Sequence, residues 1–85
     1  MTDQIKAVIE KALPDAEVYV LDPMNDNTHF ESIVISESFR EMPLVKQHQT
    51  VMKALKEQFA TTVHALGLKT FTPEKWQDQR HHYNL

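Results

Sequence analysis

Phe30-Glu31-Ser32-Ile33-Val34-Ile35-Ser36 is the stretch whose reading decides the fold. Its centre, Ile33 to Ile35, is β-branched and free of polar interruption, the composition of a strand covered on one face and paired on both sides. It is expected to be the central strand of a sheet. Moving toward the N-terminus, Asp22, Pro23, Asn25, Asp26 and Asn27 form a turn cluster, preceded by Glu17 to Leu21 with Val18, Tyr19 and Val20 as a second strand. Before that, Ile5, Val8, Ile9 and Leu13 recur at helical spacing between Thr2, an available N-cap, and Pro14, which blocks continuation; they predict a helix from about Asp3 to Leu13.

Toward the C-terminus, Ser36 to Met42 reads as a polar connection, and Pro43 suits the first turn of a helix. Leu44, Val51, Met52, Leu55 and Phe59 then keep helical phase, with Ala54 and Ala60 allowing close packing, in a long helix that frays near Thr61 and Thr62. Leu66 to Phe71 reads as a third strand. Thr72, Pro73 and Glu74 supply a cap, a proline at the first helical position and an acid in the first turn of a last helix that carries Trp76 onto the core. The chain is expected to fold as one domain over 1–79, with 80–85 as a flexible tail.

Composition narrows the function classes. The 85 residues hold 41% hydrophobic and 25% charged side chains, a globular balance without low complexity. A formal charge of −3 argues against a dedicated binder of phosphate backbones, which would carry a basic excess, although a local basic stripe is compatible with it. The chain contains no cysteine, so any thiolate must come from a partner. No stretch has the form of a secretory signal or the length of a membrane span, and a cytoplasmic location without membrane attachment is expected.

The order α-β-β-α-β-α describes an α/β (α+β) domain with a three-stranded mixed sheet and its helices on one face. The first two strands form an antiparallel hairpin, and the crossover through the long helix sets strand three parallel to strand two. Strands two and three then start at the same edge. His29 opens one, and His64 stands just ahead of the other.

The ordered blocks His29-Phe30, Ser36-Glu37-Ser38-Phe39, Val45-Lys46-Gln47-His48-Gln49-Thr50-Val51, His64-Ala65-Leu66 and Thr72-Pro73-Glu74-Lys75-Trp76 resemble the BolA-like family, partners of monothiol glutaredoxins. The resemblance runs from Thr28 to Gln79 and implies a KH-like (type II) sandwich. It further implies a [2Fe-2S] cluster shared with a glutaredoxin, whose cysteine and glutathione supply sulfur, in cluster assembly, transfer or iron sensing. The family's C-terminal ligand histidine falls on His64. Its second ligand, in the loop before strand two, falls on His29, in the form that uses histidine rather than cysteine. Two positions depart from the family: Glu41 stands where glycine is common, and Gln47 and Gln49 replace arginines that flank the helix histidine. The second departure weakens the DNA binding that the family also implies.

Each candidate has a plainer reading. A surface histidine is ordinarily a solvated side chain; the motif and the strand-edge position favour ligation for His64, while His29 is evenly balanced. His48 lies in phase with the apolar face of the long helix and reads as a partly buried structural residue, and His81 and His82 as tail. Lys46 and Lys53, seven residues apart on one face with Arg40 and Lys56 nearby, read first as a solvated helix face and second as a nucleic-acid or acidic-partner surface, giving a KH-like regulator as the alternative function. The glycine-rich clamp of KH domains is missing, since Gly67 is the only glycine. Ser36 and Ser38 lack a recognisable base and orienter, so no enzyme is expected. The free chain is expected to be a monomer or a weak homodimer.

Overall fold

The computed structural model describes residues 2–25, 29–58 and 66–85. Helix α1 (Thr2–Ala12), strands β1 (Glu17–Leu21) and β2 (Phe30–Ile35), helix α2 (Leu44–Gln58), strand β3 (Leu66–Phe71) and helix α3 (Pro73–Gln79) follow in the expected order. Thr2 lies inside α1 rather than capping it. The turn after β1 places Asn25 at φ 51°, a left-handed conformation that asparagine tolerates. The expected polar connection contains a 3-10 helix, Glu37–Glu41, capped by Ser36, whose hydroxyl accepts from the Ser38 amide. Pro43 stands just before α2, and its carbonyl accepts from the Gln47 amide at 3.1 Å to open the helical ladder. Thr72 caps α3 as expected, with Pro73 in the first turn.

The strand order is β1-β2-β3, with β1 antiparallel and β3 parallel to β2. Alternation along β2 sends Phe30 and Val34 to one face and Ile33 and Ile35 to the other. On the first face, α1 and α2 bury Ile5, Ile9, Val18, Phe39, Val51 and Leu55 against them. The two long helices therefore share one face, as expected.

The last helix corrects the expectation that all helices do so. Trp76 of α3 packs with Ile33 and Ile35 on the opposite face, joined by Tyr19, Leu21 and Phe71. This explains the uninterrupted run in β2: the strand is covered on both faces, not on one, so neither side selects polar residues. The segment expected as a loose tail completes that second core. A 3-10 helix, Arg80–Tyr83, lays Tyr83 and Leu85 on the aromatic cluster, and Arg80 Nε donates to the Leu85 carbonyl at 2.7 Å.

On α2, Val51 and Leu55 are each 1% exposed, whereas Leu44 and Met52 are 59% and 37% exposed and lie outside the core. Phe59, the remaining member of that apolar set, and the fraying point at Thr61 and Thr62 lie outside the described residues.

Candidate functional site at the strand starts

β2 and β3 begin side by side. Phe30 faces Leu66 in the parallel register, and the pairing continues to Ile35 opposite Phe71. Phe30 is buried beneath the helices, which fixes the start of β2 and holds the backbone of His29, the exposed residue immediately before it. His64 lies outside the described residues. The structure thus establishes the edge on which the two histidines were expected to meet and the position of one of them. Among the described residues, no three histidine, aspartate or glutamate side chains converge on a metal position. The chemistry of the donor set is compatible with a shared centre: this chain offers imidazoles, which suit iron, and no thiolate.

The opposite end of the sheet is pinned by polar contacts. Ser36 Oγ donates to Asp15 Oδ2 at 2.9 Å, and the Glu37 amide donates to the same oxygen at 3.2 Å. Arg40 donates to both Glu37 and Glu74, tying the 3-10 helix to α3. These bonds keep the guanidinium protonated far into the alkaline range, and the Arg40 hydrogen bond holds the Glu74 carboxyl below its ordinary value.

Gln47 is the polar residue whose importance sequence reasoning missed. Its Nε2 donates to the Phe39 and Met42 carbonyls at 3.2 and 2.9 Å, and its Oε1 accepts from Thr70 Oγ1 at 2.7 Å. One side chain thereby joins the 3-10 helix, α2 and β3. The sequence carried a signal, a glutamine on the inward side of a helix one turn after proline, but not its partners.

Lys46 and Lys53 are exposed on the outer side of α2, together with Lys56. Arg40, the fourth cation near this helix, is engaged by its two carboxylates. His48 is half-buried on α2, in keeping with a structural role. Among the described residues, no helix is long and apolar enough to cross a membrane.

Comparison with known proteins adds to this geometry. A family model described as BolA-like protein matches residues 6–75. The acid stress protein IbaG of Escherichia coli K12 is 37% identical over 79 residues, covering 92% of this chain and 90% of that one. The DNA-binding transcriptional regulator BolA of Haemophilus influenzae is 36% identical over 52 residues, covering 61% of this chain and 50% of that protein. Among solved structures, a BolA homologue from Coxiella burnetii superposes with a TM-score of 0.76 at 32% identity, covering 91% of this chain and 96% of that one.

Proposed function

Because the chain belongs to the BolA-like family, we propose that it is an adaptor rather than an enzyme, pairing with a monothiol glutaredoxin to hold a bridging [2Fe-2S] cluster. The observation that carries this reading is the parallel register of Phe30 and Leu66, which brings the starts of β2 and β3 to one edge with His29 exposed beside it. His64, two residues ahead of Leu66 in sequence, is the principal ligand of this chain, and His29 the second candidate. The glutaredoxin cysteine and glutathione supply the thiolates that this sequence lacks. Imidazole in place of thiolate raises the cluster potential, which suits a centre that is sensed or passed on.

The test is the visible spectrum of the complex with a cluster-loaded monothiol glutaredoxin. His64→Ala is expected to shift that spectrum toward the all-thiolate glutaredoxin homodimer, His29→Ala to act in the same sense, and His48→Ala to leave it unchanged. An unaltered spectrum and cluster lifetime in His64→Ala, with the heterocomplex confirmed by mass, would reject His64 as a ligand.

A second reading, a KH-like nucleic-acid-binding regulator, is favoured by the exposure of Lys46 and Lys53 on one side of α2 and by the similarity to the DNA-binding transcriptional regulator BolA of Haemophilus influenzae. It predicts a gel shift at a stated salt concentration that Lys46→Ala with Lys53→Ala weakens, with a salt slope falling by about two as two phosphate contacts are lost.

A further inference from the structure

The end of the sheet away from the histidine edge gathers negative charge. In the β1–β2 register Glu17 pairs with Ile35, so Asp15, before the one, and Glu37, after the other, leave the sheet at the same end. Ser36 Oγ and the Glu37 amide hold Asp15 there by donating to its Oδ2. With Ile35 and with Pro73, Trp76 and Gln77 of α3, these three carboxylates line a cleft of about 260 Å³. Among the described residues, no lysine, arginine or histidine lines it. The hydrogen bonds described engage one oxygen of each carboxylate: Asp15 Oδ2, Glu17 Oε1 with the Tyr19 hydroxyl, and Glu37 Oε1 with Arg40, which also reaches Glu74 outside the cleft. The second oxygens can still accept. The wall supplies a separate observation: Trp76 is 1% exposed, and its indole N–H is a buried donor without a hydrogen-bond partner. A buried donor left unpaired costs free energy that an arriving acceptor recovers.

We propose that this cleft takes an arginine side chain of a partner protein, its guanidinium held among Asp15, Glu17 and Glu37 and its adjoining peptide carbonyl accepting from Trp76 Nε1. Charge and donor geometry select this occupant. A planar guanidinium offers five N–H donors in a fixed fork, enough to bridge carboxylates on separate segments, and is more weakly hydrated than an ammonium. A divalent ion is a poorer match, since no three acidic or histidine side chains among the described residues converge on a metal position. The indole requires an acceptor as well, and the charge of that acceptor decides between a protein and free arginine. A peptide carbonyl is neutral, whereas the carboxylate of the free amino acid would enter the field of three like charges. The cleft lies where β2 ends and the histidine edge where it starts, so occupation of the one is independent of the cluster reading at the other.

The probe is N-acetyl-arginine N-methylamide, followed by heteronuclear NMR at the indole N–H of Trp76, the chain's only tryptophan, and at the Gln77 side-chain amide. Both resonances are expected to move with half-saturation at about 1 mM, the indole proton downfield as its bond forms. The citrulline analogue, similar in shape but uncharged, and free L-arginine are each expected to bind about tenfold more weakly. Glu17→Gln, an exposed change that keeps an acceptor for Tyr19, is expected to weaken the probe about tenfold, and Glu57→Gln on α2 to leave it within about twofold. Trp76→Phe removes the N–H and keeps an aromatic ring; it is expected to weaken the probe about fivefold, read at Gln77, with circular dichroism to confirm that the variant folds. Glu17→Gln carries the test if it does not. Citrulline or free arginine binding as tightly as the probe, Glu17→Gln binding as tightly as the parent, or Trp76 and Gln77 resonances unmoved through about 10 mM overturns the proposal.

Discussion

Gln47 concentrates more structural consequence than any other polar side chain described on α2. It satisfies two carbonyls where the 3-10 helix turns into α2 and accepts a hydrogen bond from the hydroxyl of Thr70, itself buried on β3. Gln47→Ala leaves those groups without their partner, and an unmade hydrogen bond at a part-buried site costs about 1–3 kcal/mol. In a domain of this size that corresponds to a fall in melting temperature of about 4–8 °C for each kcal/mol, measurable by thermal circular dichroism. The same residue shows the reach of sequence reading: the letter is visible, whereas the carbonyls it serves lie on segments 5 and 8 residues back, and Thr70 lies 23 residues ahead.

At the scale of elements, α2 is held by a narrow face. Leu55 is 1% exposed, so Leu55→Ala is expected to cost about 2–5 kcal/mol in chemical unfolding, the range for large-to-small changes in a packed core. Leu44 is mostly exposed, and Leu44→Ala is expected to stay within about 0.5 kcal/mol of the parent. If the two variants unfold alike, the assigned phase of α2 is wrong. The sequence placed Leu44 and Leu55 in one apolar set because helical spacing repeats along the whole segment. The packing does not, and in the first turn Leu44 stays exposed while Gln47 turns inward to Thr70.

At the scale of the molecule, two layers of helix enclose the sheet unequally. α1 and α2 cover one face; the other relies on α3 and the turn that follows it. Tyr83 lies 5.8 Å from Trp76 and 6.2 Å from Phe71, centroid to centroid. Removing residues 80–85 is therefore expected to lower the melting temperature and red-shift the emission of Trp76 as water reaches its ring, whereas a loose tail would leave both unchanged. Arg40 closes the assembly from outside by joining the 3-10 helix to Glu74 of α3. The folded-state pKa of Glu74 is lowered, so the pair's contribution is complete above the unfolded-state value and is lost as pH falls through the folded-state one. Both partners are about half exposed, so solvent screens the effect. An NMR titration is expected to place the Glu74 midpoint below the ordinary glutamate range, and Arg40→Ala to raise it, since the Arg40 hydrogen bond is the largest cause of the lowering.

The sequence by itself determined the three α-helices, the three strands, their order and the parallel pairing of β2 with β3, because hydrophobic period, caps and crossover handedness are local or topological rules written in neighbouring residues. It also marked the edge where His29 stands. Tertiary structure alone decided which face the last helix covers. The run Ile33 to Ile35 is compatible with one covered face or two, and only the path of the chain after Phe71 carries Trp76 to the far side of the sheet. It likewise decided that residues 80–85 pack, since Tyr83 and Leu85 acquire a reason to be ordered only once Trp76 and Phe71 supply an apolar surface to bury against.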